Sequence, residues 1–298
     1  MRVLLATDGS ESSEGAARFL RRLNFAAEDE ITVFHAINWI PFQDDRESHY
    51  AGLRRFKETI APKILDETVA IVAGSGAKVI TALVEGAADA AIIEAGGRAG
   101  ADLIVMGARG IKGMGAIFIG SVTRSVAINS PRPVLIIRPP QHKAAAPLKV
   151  LFATDGSEDA EATAALLGVI PFPPETELTV VNVVWSAVAD IPDRYALELD
   201  NKVKDEVARA RALENEMSGR IIDGTMTALS KRFGVVKSIA RIGDPSLEIL
   251  DVAKTEGSDV IALGSRGMKG LRGMLGSVSR RILGNADCSV LICKARGG

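Results

Sequence analysis

Short apolar runs recur along the chain, separated by longer mixed stretches. In the first half they fall at 2–7, 30–37, 78–84, 102–106 and 133–137. The first four lead into segments of helical character near 11–23, 50–73, 87–99 and 120–128. The second half follows the same plan, with apolar runs near 148–153, 176–184, 235–241, 259–263 and 289–293. Its second helical region, 194–232, is the longest, and the pattern allows a break within it. Apolar runs without polar alternation mark strands buried on both faces, as in a parallel sheet covered by helices. Alternating strand and helix signals therefore predict an α/β doubly wound domain, written twice. In such sheets ligands bind beyond the carboxyl ends of the strands, where the strand order reverses.

The duplication can be read in the residues themselves. "VLLATDGSE" at 3–11 returns as "VLFATDGSE" at 150–158, "GARG" at 107 as "GSRG" at 264, and "PVLIIR" at 133–138 as "SVLICK" at 289–294. Between the halves lies "RPPQHKAAAP", whose prolines and small residues suit neither a core nor a regular helix. This seam predicts domains at 1–140 and 147–298.

Glycines concentrate in "MGARGIKGMGAIFIGS" at 106–121 and again in "LGSRGMKGLRGMLGS" at 263–277, each after the fourth apolar run of its half. Gly107 and Gly110, like Gly264 and Gly267, can take positive φ and bring main-chain N–H groups close to a ligand. Gly120 and Ser121 open a helix, whose free N–H groups and dipole favour an anion. Arg109, Lys112 and Arg266 add positive charge, so the loop reads as a phosphate cradle. Each feature also has an ordinary reading: glycines shape turns, and Ser121 and Ser277 serve as N-caps. "DGSE" likewise fits a turn with Asp or Ser capping the first helix. The GxxxxGK[ST] phosphate loop is absent, as is GxGxxG after the first strand.

Strand, G-x2-G-x9-G-S and an aspartate ending strand one together resemble the universal stress protein family, over nearly the whole chain and in tandem. The resemblance implies a five-stranded parallel sheet in each half, of the adenine-nucleotide-binding Rossmann-like type. It implies ATP or another adenine nucleotide, with Mg²⁺ or Mn²⁺ carried through the phosphates as an option. The base and sugar side would involve Ala6, Asp8, Ala36 and Met106. The phosphate side would involve Gly107, Arg109, Gly110, Gly120, Ser121 and Val122. In the second half the corresponding positions are Ala153, Asp155, Val183, Leu263, Gly264, Arg266, Gly267, Gly276, Ser277 and Val278. That half has eight residues between Gly267 and Gly276, where the first has nine between Gly110 and Gly120. A missing residue displaces an N–H by up to about 3.5 Å, so the first half is expected to be the better site.

Composition narrows the remaining classes. Lys plus Arg is 36 against 37 Asp plus Glu, a net charge of −1, which argues against a dedicated nucleic-acid binder. Aromatics are 4%, so the cores should be aliphatic. No run reaches the roughly 18 apolar residues of a membrane span, and the opening residues do not read as a leader, so a cytoplasmic protein is expected. Cys288 and Cys293, at an odd spacing, read as reduced core thiols on opposite faces of a strand. His35, His49 and His142 form no metal or triad pattern, so no catalytic residue is assigned and turnover is expected to be at most a weak Mg²⁺-dependent ATPase. The leading expectation is a stress-response module whose nucleotide shifts its conformation. The alternatives are a slow ATPase or an interaction module without nucleotide. In the latter, the final strands 133–137 and 289–293 pair the halves as a pseudo-dimer, or pair two chains as a homodimer.

Overall fold

The structure, a computed structural model, describes residues 1–37, 46–110, 119–139, 146–185, 201–267 and 275–295. The first half runs β1 (Arg2–Ala6), α1 (Glu11–Arg21), β2 (Glu30–Ile37), α2 (Arg46–Val72), β3 (Lys78–Glu85), α3 (Ala88–Arg98), β4 (Leu103–Gly107), α4 (Ser121–Asn129) and β5 (Val134–Ile137). The second runs β6 (Lys149–Ala153), α5 (Glu158–Val169), β7 (Glu177–Val184), α6 (Asn201–Leu229), β8 (Val235–Ile242), α7 (Pro245–Glu256), β9 (Val260–Gly264), α8 (Ser277–Asn285) and β10 (Ser289–Cys293). Within the predicted region 194–232, α6 is continuous over Asn201–Leu229; 186–200 lies outside the described residues.

The ten strands form one sheet, ordered β3-β2-β1-β4-β5-β10-β9-β6-β7-β8. Every neighbouring pair is parallel except β5 with β10. There Leu135 faces its repeat equivalent Leu291, while Val134 pairs with Ile292 and Ile136 with Val290. Residue i thus meets j as j meets i, the signature of a two-fold junction. The halves are docked edge to edge as a pseudo-dimer, and pairing removes the two strand edges that separate halves would expose.

Alternation along the strands builds two cores. Val3 and Leu5 join Ala17 and Leu20 of α1, Val72 of α2, Leu167 of α5 and Leu229 of α6 on one face. Leu4 and Ala6 join Ile92, Val126, Val252 and Ile282 from α3, α4, α7 and α8 on the other. Both clusters run across the junction. Cys293 lies in the first and Cys288 in the second, and both are free thiols. The outer strands differ from expectation. β3 and β8 were predicted as runs covered on both faces, yet most of their residues are exposed or half-exposed. As terminal strands they have a neighbour on one side only, and Ile80, Leu83, Val84, Val235 and Ile242 remain exposed.

Two reciprocal ties lock the junction. Lys294 Nζ donates to the carbonyls of Ile128 (2.6 Å) and Ser130 (2.7 Å) at the end of α4. Its repeat equivalent Arg138 donates through Nη2 to Leu283 O (2.8 Å) in the last turn of α8. Cations suit helix carboxyl ends, whose carbonyls carry partial negative charge. Burial holds both side chains below their ordinary pKa, and each feels a second arginine, Arg266 beside Lys294 and Arg109 beside Arg138.

Candidate nucleotide site at the strand carboxyl ends

In each half the chain turns one way from the first strand through the second to the third, and the other way from the fourth to the fifth. The crevice between the first and fourth strands is therefore a topological switch point. Ala6 pairs with Met106 across it, and Ala153 with Leu263.

The turn after strand one is built alike in both halves. Gly9 and Gly156 take φ of 74° and 75°, a left-handed backbone that favours glycine. Asp8 Oδ1 accepts from Ser10 N–H (3.1 Å), and Asp155 Oδ1 from Ser157 N–H (3.0 Å). Ser10 and Ser157 are the N-caps of α1 and α5. The aspartates thus shape the turn and the serines cap, a division the sequence left open. The second carboxylate oxygen of each aspartate lies against the loop: a Cβ on Gly110 would sit 2.5 Å from Asp8 Oδ2, and one on Gly267 2.7 Å from Asp155 Oδ2.

That contact corrects the reason given for the loop glycines. Gly107, Gly110, Gly264 and Gly267 do not have positive φ. They are glycines because side chains do not fit. A Cβ on Gly107 would meet Ser12 at 2.6 Å, and one on Gly264 would meet Asp159 at 2.8 Å. Strand four can therefore approach the first helix of its half closely.

The helix starts also differ in detail from expectation. Gly120 and Gly276 are the N-cap residues and give no side-chain cap; Ser121 and Ser277 are exposed first-turn residues rather than caps. Gly120 N–H donates to Ala108 O (2.9 Å), and Gly276 N–H to Ser265 O (2.8 Å). Because both halves make this equivalent bond, the shorter second loop does not displace its helix start. Residues 268–274 and 111–118, and so Lys112, lie outside the described residues. Intrahelical bonding begins at Arg124 and Arg280, so the N–H groups of Ser121, Val122 and Thr123, and of Ser277, Val278 and Ser279, have no intrahelical acceptor. Thr123 Oγ1 ties α4 to Gly107 O (3.0 Å), and Ser279 Oγ ties α8 to Gly264 O (2.8 Å).

In the second half these groups surround one cleft of about 420 Å³. Ala153, Asp155, Val183, Leu263, Gly264, Arg266, Gly267, Gly276, Ser277 and Val278 all line it. Sequence reading missed Thr154, Val181, Pro245, Ile249 and Ser279, which line it too. Of these, Ser279 had a signal: a hydroxyl follows GSV in both halves, as Thr123 and Ser279. The two arginines do not play equal parts. Arg266 Nε and Nη2 both bond the Asp159 carboxylate, at 3.0 and 2.8 Å, so its charge is turned to α5. In the first half Ser12 stands where Asp159 stands, and its hydroxyl accepts from Arg109 N–H (3.2 Å).

His35, half-buried on β2, donates from Nδ1 to Thr7 O (2.7 Å) and joins strand two to the end of strand one; Asn182 does the same for Thr154 O (2.7 Å). His49 and His142 lie outside the residues whose side chains are described. Among the described residues no group of three His, Cys, Asp or Glu side chains is placed to hold a metal, and no helix is long and apolar enough to cross a membrane.

Comparison with known proteins agrees with this arrangement. The model of the universal stress protein family matches twice, at residues 1–138 and 148–294, leaving the proline-containing seam between the matches. A universal stress protein of Thermus aquaticus is 32% identical over 136 residues, 46% of this chain and 97% of the relative. One from Mycolicibacterium smegmatis is 24% identical over 99% of this chain and 97% of its own length. The crystal structure of a universal stress protein from Archaeoglobus fulgidus has the same fold, with a TM-score of 0.64 and 24% identity over 99% of this chain and 98% of that one. With two matched copies that together span nearly its whole length, the chain belongs to the universal stress protein family, as a tandem member.

Proposed function

We propose that the protein binds an adenine nucleotide, ATP by preference, and acts through the nucleotide's effect on its conformation. One observation carries this reading. All ten second-half positions singled out in the sequence line a single cleft at the switch point of the sheet, with helix-start amides that have no intrahelical acceptor at one end. Its volume lies within the usual few-hundred-Å³ range of small-molecule sites.

The parts suit different portions of the ligand. Val181, Val183, Ile249 and Leu263 supply an apolar floor and wall for a base. Asp155, whose Oδ1 is held by Ser157 N–H, is an acceptor for ribose hydroxyls. The amides of Ser277, Val278 and Ser279, with the positive end of α8, suit a phosphate. Asp155 would repel phosphate oxygens unless a Mg²⁺ or Mn²⁺ on those phosphates intervenes. The first half offers the same turn, glycines and helix start through Ala6, Asp8, Ala36, Met106, Gly107, Arg109, Gly110, Gly120, Ser121 and Val122, and we extend the reading to it. Bound nucleotide would order the loop and bias the equilibrium between loop conformations, to the extent that it prefers one of them.

Isothermal titration with ATP tests this. Two binding sites are expected, reduced to one by Gly110→Arg or by Gly267→Arg, because either side chain is driven into the aspartate opposite. Absence of ATP binding to the native protein, with or without Mg²⁺, would overturn the reading. Phosphate release above background would instead favour the weak ATPase.

A further inference from the structure

With β5 and β10 paired inside the chain, the strands left at the ends of the sheet are β3 and β8. They occupy equivalent places in the two repeats, yet their side chains differ. β3 reads "KVITALVE", and the six residues Val79–Val84 carry no charge. β8 reads "VVKSIARI", with two cations inside it. Glu30 pairs with Lys78, and its repeat equivalent Glu177 pairs with Val235. That alignment puts Lys237 where β3 has Ile80, and Arg241 where β3 has Val84. Ile80, Leu83 and Val84 are exposed. Lys237 and Arg241 are solvent-facing too, each 3.9 Å from an acid of α7, Glu256 and Glu248. Charged side chains on an edge strand are a common device against edge-to-edge pairing. The second repeat carries this guard and the first does not.

The backbone of β3 is suited to pairing with itself. Lys78 N–H donates to Asp29 O (2.9 Å) and Gly86 N–H to Ile37 O (3.1 Å), both toward β2. Alternation then turns the N–H and C=O groups of Val79, Thr81, Leu83 and Glu85 to the outer edge. In an antiparallel pair with Ala82 on a two-fold axis, Val79 meets Glu85 of the second copy and Thr81 meets Leu83, as hydrogen-bonded pairs. Ile80 meets Val84 in the closer pairs that exchange no hydrogen bonds, where side chains touch best. The same register in β8 sets Lys237 opposite Arg241 twice, and like charges directly opposite are destabilising. The neighbouring helix adds apolar surface. Arg54 bonds Glu85 at the end of β3 (3.0 Å), which holds that turn of α2 beside the strand, and Leu53 and Phe56 on either side of Arg54 are exposed.

We propose that two copies of this chain associate through β3, antiparallel about a two-fold axis at Ala82, so that two ten-stranded sheets become continuous. The molecule already uses this mode of contact once, between β5 and β10. A two-fold contact closes on itself, so the assembly stops at two copies. The cations of β8 keep the far end of each copy from adding another. This association is independent of the nucleotide reading, because β3 lies at the opposite side of each half from the junction and contributes none of the residues assigned to the cleft.

The test is sedimentation equilibrium of the full chain across the micromolar range, where a dimer is expected. Ile80→Lys combined with Val84→Arg copies the β8 pattern into β3 and should weaken the dimer about tenfold or more. A native chain that sediments as a monomer, or a double variant that dimerises as tightly as the native chain, would overturn the proposal. Open-ended assemblies of the native chain would overturn it as well, since they require β3 to pair with β8 rather than with itself. If the double variant does not fold, amide exchange of the native protein decides the matter. The amides of Val79, Thr81, Leu83 and Glu85 should gain protection as concentration rises, while their β8 equivalents Val236, Ser238, Ala240 and Ile242 should not. Exchange at β3 that does not depend on concentration refutes the contact.

Discussion

Asp159→Ala is the substitution whose consequence follows most directly from the structure. The Asp159 side chain is 3% exposed and receives five hydrogen bonds, two of them from a guanidinium that is itself 20% exposed. Breaking a buried ion pair by removing one partner costs about 3–5 kcal/mol. Partial exposure of Arg266 lets water solvate the stranded cation, which places the expected loss near the lower end, about 3 kcal/mol or roughly 150-fold in the opening equilibrium. Native-state hydrogen exchange on the full chain is the suitable assay, because a two-repeat protein need not unfold in one step. Amides of α5, β9 and β10 should lose protection, with those of Arg266 and Ala295 foremost, while β2 and β3 stay unchanged. The effect should also depend on pH. Burial works to raise the Asp159 pKa, but bonds from Arg266, Ser265 and the Ala295 amide outweigh it and hold it below the ordinary 3.8. For a depressed carboxylate the extra stability is complete above the unfolded value and is lost as pH falls through the folded one. The gap between native and variant proteins should therefore close below about pH 4. A loss under about 0.5 kcal/mol at neutral pH, within the range of an ordinary surface change, would refute the claim that this carboxylate holds α5, β9 and β10 together.

Two further outcomes are expected. Burial pushes the Cys288 thiol up to about 11, so at pH 8 its alkylation should be on the order of a hundredfold slower than that of a thiol at 9.0, and full denaturation should abolish the difference; labelling at the rate of a free thiol would contradict the burial. Lys294→Met should remove both bonds to the end of α4 and cost about 2 kcal/mol, read as faster exchange in β5 and β10 with the outer strands unaffected; equal loss throughout the sheet would show that the junction is not a separate unit of stability.

The element order was legible because its signals are local. Apolar runs such as "VLLA" and "LIVM" became β1 and β4 within a residue or two, and the odd Cys288–Cys293 spacing put the two thiols in different cores. The candidate site was legible because TDGS and the glycine loop each sit at a strand end, and the repetition of both singled them out. Three things were not local. Exposure of β3 and β8 depends on their terminal place in the sheet. Steric crowding at Gly110 and Gly267 depends on an aspartate that lies far away in sequence. The fate of Arg266 depends on one residue of α5, Asp159, whose first-half counterpart is a serine.

By itself the amino-acid order determined that there are two α/β repeats, where each turns, and which positions end on the switch-point crevice, because burial period and turn chemistry are properties of neighbouring residues. Only the tertiary structure decided that the repeats share one ten-stranded sheet through an antiparallel β5–β10 pair, and that Arg266 is claimed by the Asp159 carboxylate. Pairing of distant strands and compensation of buried charge are settled by which groups meet in space, and distance along the chain does not encode that.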